Sequence, residues 1–195
     1  RIPAGAADLS EGRWNKKEYS KARGLFGRTL GLIGVGSIGR EMIVRARAFG
    51  MPVVAWSRSL TSSRAELLGI EMKQSPLEVA LSCDVMSVHV ALTGETKKLI
   101  DERLLEAMKP GSYFVNTSRA EVVDQKALER AVVERGLRAG LDVFAGEPSA
   151  GTGTVDGAIF NLDGVIGTHH IGASTDQAQQ AIADETLRII REYKD

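Results

Sequence analysis

The 195-residue chain holds one cysteine, Cys83, so no disulfide can form within it, and a lone thiol inside an apolar segment suits a reducing compartment. It has no excess of charge: 25 Lys and Arg stand against 25 Asp and Glu, which gives no electrostatic reason to expect nucleic acid or an anionic membrane as a partner. No apolar run approaches the roughly 18 residues of a membrane span, and no signal-peptide pattern stands out, so a cytoplasmic location is expected. There is no internal repeat, low-complexity tract or charge block. The chain begins with Arg1 rather than methionine, as a fragment, a domain or a processed chain would. At 43% hydrophobic and 26% charged residues, its composition is that of a globular protein able to bury one sizeable core.

What the chain does have is glycine in a pattern. Gly34-Val35-Gly36-Ser37-Ile38-Gly39 follows the apolar run 29–35 and opens a helix-like run over 38–49. Strand, tight turn and helix are the context in which G-x-G-x-x-G binds a dinucleotide. Gly34 permits the turn, Gly36 lets backbone N–H groups approach a pyrophosphate, and Gly39 lets helix and strand pack closely. The diphosphate then lies at a helix N-terminus, where unpaired N–H groups and the helix dipole favour negative charge. About 20 residues further on, an acidic residue commonly holds the adenosine ribose. Here Ser57 and Arg58 end the second strand-like run, and a hydroxyl beside a guanidinium suits a 2′-phosphate. The expected cofactor is therefore NAD or NADP, leaning to NADP; the alternative for Arg58 is a solvated loop residue.

Strand and helix signals alternate along the chain. Strand-like runs cover 29–35, 53–56, 85–90, 113–116, 139–143 and 165–168, and helical patterns cover 38–49, 63–68, 76–81, 102–108 and 125–134. Short continuous apolar strands separated by helices indicate a parallel sheet covered on both faces, hence an α/β, Rossmann-type doubly wound fold. Asp124 reads as a helix N-cap and Gly136 as its stop. The expected organisation is a leading helix over 2–10 and linker to residue 23, a dinucleotide-binding domain over 24–172, and a last amphipathic helix over 174–195. That helix starts at Ser174 or Thr175, and Ala178, Ile182, Leu187 and Ile190 are candidates for its buried face. A loop through Trp14 and Tyr19 follows the leading helix, and 151–157 reads as a flexible loop.

Three later segments carry chemistry. Arg119 stands just past the strand-like run 113–116, Asp142 at the end of the fifth such run with Glu147 after it, and His169-His170 after the sixth. Open α/β sheets bind ligands at the carboxyl ends of their strands, so all three segments converge on one edge. Reduction of a 2-oxo acid needs a cation to hold the carboxylate, a proton donor for the new hydroxyl, and a carboxylate to keep that donor charged and oriented. Arg119, His170 and Glu147 fit these roles. Each has a plainer reading as a surface charge or loop residue, and only their joint placement raises the functional one. A metal site at His169-His170 is not expected, because neighbours in an extended segment point apart and no cysteine or carboxylate cluster completes the set. Asn116-Thr117-Ser118 matches a glycosylation sequon by chance.

Nearly the whole chain resembles the D-isomer-specific 2-hydroxyacid dehydrogenases, through residues 27–39, 84–96, 109–119, Val123-Asp124, 141–144 with Glu147-Pro148, and 170–175. The resemblance implies Arg119 as the substrate-binding arginine, His170 as acid/base and Glu147 as its partner. It implies Ser37 and Ile38 at the pyrophosphate, Ser57 at the ribose, and Val90, Thr117 and Asp142 around the nicotinamide half of the cofactor, with Gly172 a further cofactor-binding residue. It also implies a second, substrate-binding lobe, a homodimer paired through the nucleotide lobe, and a small 2-oxo or 2-hydroxy acid as substrate. Three positions depart from the family pattern: His169 replaces the usual proline before the histidine, Ala91-Leu92 replaces a proline–leucine pair, and Ser57-Arg58 replaces the ribose-binding aspartate. A second class, a nucleotide-sensing binding protein akin to transcriptional corepressors of this fold, is compatible with the same three residues.

Overall fold

In the computed structural model, which describes residues 2–148 and 150–193, seven parallel strands form one sheet in the order β3-β2-β1-β4-β5-β6-β7. The strands are β1 (Leu30–Ile33), β2 (Val53–Trp56), β3 (Glu71–Met72), β4 (Val85–Val88), β5 (Tyr113–Asn116), β6 (Arg138–Leu141) and β7 (Val165–Gly167). Helices α1 (Ile2–Ser10) and α2 (Lys16–Tyr19) precede the sheet; α3 (Ser37–Ala48), α4 (Ser62–Leu68), α5 (Pro76–Ser82), α6 (Glu102–Ala107) and α7 (Gln125–Arg135) connect its strands; and α8 (Asp176–Glu192) follows. The chain winds outward from β1 to β3, crosses back through α5 to β4, and winds the other way to β7. The order reverses between β1 and β4, and at such a reversal open α/β sheets bind ligands, at the carboxyl ends of the strands.

Burial explains why these segments became strands. Ile33, Met86, Val88, Phe114, Ala139 and Leu141 face one apolar cluster, shared with α5, α6 and α7. Leu30, Leu32, Val53 and Ala55 face a second cluster, shared with α3 and α4. A sheet packed on both faces needs continuous apolar strands, which is the pattern the sequence shows. Residues with short polar side chains or in left-handed conformations punctuate the helices. Thr61, Ser75, Asp101, Asp124 and Thr175 accept N-cap bonds from backbone N–H groups, and Gly69 and Gly136 close α4 and α7 at φ 56° and 66°. Cys83 is fully buried against Gly31, and burial pushes its thiol up to about 12, which leaves it a packing residue.

Several expectations are corrected. The strands are shorter at their ends than the apolar runs, because Val35, Val90, Val143 and Thr168 lie in the loops that leave the sheet. The two-residue β3 had no apolar pattern to announce it and forms by pairing with Val54 and Ala55. Residues 16–19, expected as loop, form one helical turn, and 158–161 form a 3₁₀ turn that buries Ile159. The apolar stripe of α8 is not buried: Ile182, Leu187 and Ile190 are 58%, 50% and 47% exposed. Periodicity marks an apolar stripe but not what covers it, and no element among the described residues does.

Candidate active site

The glycine turn leaves β1 and enters α3 with its three glycines doing different work. A Cβ on Gly34, which has φ 103°, would collide with the carbonyl of His89 at the end of β4, and a Cβ on Gly39 would collide with the carbonyl of Gly34. Those two glycines let the turn close against its neighbours. Gly36, the N-cap of α3, has open space where its Cβ would be, and Ser37 and Ile38 beside it are exposed. A free helix N-terminus with an unobstructed glycine backbone fits a pyrophosphate, so these residues can hold a dinucleotide.

Around this turn, the other expected nucleotide residues lie at the carboxyl ends of β2, β4 and β5. Ser57 and Arg58 follow β2, Val90 lies two residues past β4, and Thr117 follows β5. Arg58 is exposed and forms an ion pair with Glu95 from the loop after β4. The half-buried ring of His89 meets Ser87 Oγ through Nε2 at 2.9 Å, and burial holds its pKa below the ordinary histidine value.

Glu147 and His170 come together. Glu147 Oε2 lies 2.8 Å from His170 Nδ1, while Oε1 accepts the Phe144 N–H at 2.6 Å. The carboxylate is thus fixed by the backbone of its own loop and in turn fixes the imidazole, leaving Nε2 for a substrate. The segment 169–170 is not extended as expected: His170 has φ 54°, a left-handed conformation uncommon for a residue other than glycine. Asp142 holds this turn from the end of β6. Its Oδ1 accepts from Thr168 Oγ1 at 2.6 Å and Ile171 N at 3.0 Å, and its Oδ2 accepts from Gly172 N at 2.9 Å. Burial pushes the Asp142 carboxyl up, but the Thr168, Gly172 and Ile171 bonds and the nearby His170 outweigh it and leave it below the ordinary aspartate value.

Arg119 stands at the same edge, past β5, with its side chain exposed and Nη1 donating to Ser118 O at 2.7 Å. It pairs with no carboxylate among the described residues, and no bond joins it to the Glu147–His170 pair. The sequence reading missed the supports of these loops. Gln125 Oε1 accepts the N–H of Ala145 at 2.9 Å and so tethers the Glu147 loop to α7, and Thr168 braces Asp142. A polar residue at the first position of α7 and a hydroxyl just before the histidines were the visible signals. Among the described residues, no group of three or more His, Cys, Asp or Glu is placed to hold a metal ion.

Comparison with known proteins gives the family and the fold. Residues 1–172 match the family described as D-isomer specific 2-hydroxyacid dehydrogenase, NAD binding domain. The chain is 37% identical over 195 residues to D-3-phosphoglycerate dehydrogenase of Methanocaldococcus jannaschii, covering 97% of this chain and 36% of that protein. It is 38% identical over 194 residues to hydroxypyruvate reductase of Thermotoga maritima, covering 97% of this chain and 60% of that one. The crystal structure of D-lactate dehydrogenase with NAD+ from Lactobacillus jensenii superposes with a TM-score of 0.79 at 26% identity, over 96% of this chain and 58% of that one. The chain therefore spans between about a third and three-fifths of the length of these relatives. With its crossover topology, open glycine turn and a family match over residues 1–172, the chain belongs to the D-isomer specific 2-hydroxyacid dehydrogenases, as their NAD binding domain.

Proposed function

We propose that the protein carrying this chain interconverts a D-2-hydroxy acid and its 2-oxo acid, and that Arg119, Glu147 and His170 do the protein's share of the chemistry. Arg119 binds the substrate carboxylate and polarises the neighbouring carbonyl. His170 Nε2 donates a proton to the carbonyl oxygen in reduction and takes it back in oxidation. Glu147 holds the ring so that Nε2 faces the substrate. The bound nicotinamide supplies or accepts the hydride. The observation that carries this reading is the 2.8 Å Glu147–His170 contact at the carboxyl edge of the sheet that also presents the glycine turn.

The first substrate on this reading is D-3-phosphoglycerate, oxidised to phosphohydroxypyruvate for serine synthesis, which the identity to a phosphoglycerate dehydrogenase supports. The alternative is a glyoxylate/hydroxypyruvate reductase, supported by a comparable identity to a hydroxypyruvate reductase. Ser57 and Arg58 stand where an acid is usual, which favours NADP alongside NAD; a 2′-phosphate would take Arg58 from Glu95. Residues that cup the far end of the acid come from a further lobe, a reading supported by relatives of which this chain covers 36% and 60%. The same reading has a cytoplasmic homodimer with no nucleic-acid or membrane partner. The charge balance gives no attraction to nucleic acid or an anionic membrane, and no described helix is long and apolar enough to cross a membrane.

The test is loss of NADH or NADPH absorbance in the full-length protein with phosphohydroxypyruvate, glyoxylate or hydroxypyruvate. His170→Ala should cut kcat by about a thousandfold with nucleotide affinity retained. No oxidation of either nucleotide with any of the three acids would replace the enzyme by the nucleotide-sensing binding protein. Arg58→Ala should weaken NADPH far more than NADH, and equal weakening would remove the phosphate-reading role.

A further inference from the structure

At Asn116, the last residue of β5, the chain must stop running along the sheet and bring Arg119 out over its edge. Asn116 is 1% exposed, and its side chain is engaged in three bonds. Its Oδ1 accepts the Ser118 N–H at 2.9 Å and the Ser118 Oγ–H at 2.8 Å, closing an Asx turn over residues 116–118. Its Nδ2 donates to the carbonyl of Arg119 at 3.0 Å. One amide therefore ties both the turn before the arginine and the arginine's own backbone to the end of a central strand. Few side chains could do this. Aspartate accepts but cannot donate, serine has no second arm, and glutamine is a methylene too long for the turn.

The placement matters because Arg119 has little else to hold it. Its side chain is exposed, and its one described side-chain hydrogen bond goes to the carbonyl of the residue before it. A guanidinium that grips a carboxylate bidentately must present both N–H groups in a fixed plane, and a loose backbone at its Cα would blur that plane. We propose that Asn116 is the positioning residue for Arg119: its buried amide sets the direction from which the guanidinium meets the carboxylate of a 2-oxo acid. The same bonds remove the amide from the glycosylation sequon, since Nδ2 lies inside the fold. The inference rests on the role given above to Arg119 and names the residue on which that role depends.

The experiment uses the full-length protein with glyoxylate, the smallest 2-oxo acid, so that few contacts beyond the carboxylate contribute; where glyoxylate is not reduced, hydroxypyruvate or phosphohydroxypyruvate takes its place with the same expected outcomes. Asn116→Ala removes all three bonds, and Asn116→Asp keeps the shape and the Ser118 bonds while losing the donor to Arg119. In both variants KM for glyoxylate should rise about tenfold or more and kcat should fall with the loss of carbonyl polarisation, while NADH affinity, read by nicotinamide fluorescence, changes far less than KM. If the alanine variant does not fold, the aspartate variant carries the test. An unchanged KM in a folded variant overturns the inference, and so does a parallel loss of KM, kcat and NADH affinity, which would mark a general structural role. Arg119→Ala is the control. If it raises KM for glyoxylate and the Asn116 variants do not, only the positioning role falls; if it leaves KM unchanged, the role of Arg119 falls and the inference with it.

Discussion

Both carboxylate oxygens of Asp142 are taken up by the turn that carries His170, through Thr168, Ile171 and Gly172. The family resemblance puts this residue near the nicotinamide; the structure adds that it braces a backbone bent to φ 54°. Its pKa lies below the ordinary aspartate value of about 3.9, so the bracing is complete above that value and is lost as pH falls through the lower, folded one. The full-length protein should therefore melt at falling temperature as pH drops from about 5 to about 3, and Asp142→Asn should melt lower at pH 6 and respond less to acid. Parallel melting curves for the two proteins across that range would remove the brace. At this scale residue types and their order were legible, but bonding was not. Arg119, Glu147 and His170 were visible because each follows a strand-like run; Asn116, Gln125 and Thr168 were not, since a side chain that supports a loop through backbone bonds follows no periodic pattern.

Among elements, the β1–α3 unit was legible almost to the residue because its constraints are local. A strand, three glycines and a helix must follow each other at fixed spacing for the turn to close. The three glycines nonetheless answer to different demands, and substitution separates them. Gly36 has open space at its Cβ position and φ −79°, so Gly36→Ala should fold with an unchanged or slightly higher melting temperature and bind NADH at least tenfold more weakly. Gly39→Ala drives a methyl into the Gly34 carbonyl and should lower stability by about 1–3 kcal/mol. Thermal melting and a fluorescence titration of both variants check this, and equal effects on stability would show that Gly36 also serves the packing. By contrast, β3 and the helical turn at 16–19 escaped the sequence reading because each is too short to show a period and takes its form from its neighbours.

For the whole molecule, the sheet with its two apolar clusters forms a body, and α1 and α8 lie outside it. Neither helix buries a residue, whereas Phe114, Leu32, Ile33 and Leu128 in the body are almost completely enclosed. The parallel topology was readable because burial on both faces leaves long apolar runs in the sequence. The position of α8 was not, because an amphipathic stripe reports only that one side of a helix is apolar. A 17-residue helix without tertiary cover is marginal in water, so its hydrogen bonds open far more often than those of the sheet. In hydrogen exchange on the 195-residue chain, amides of α8 should exchange within about tenfold of an unstructured peptide. Those of β1, β4 and β5 should be slower by a factor of about a thousand or more. Protection of α8 equal to that of β5 would mean that its apolar stripe is covered after all, and that the body extends to the last helix.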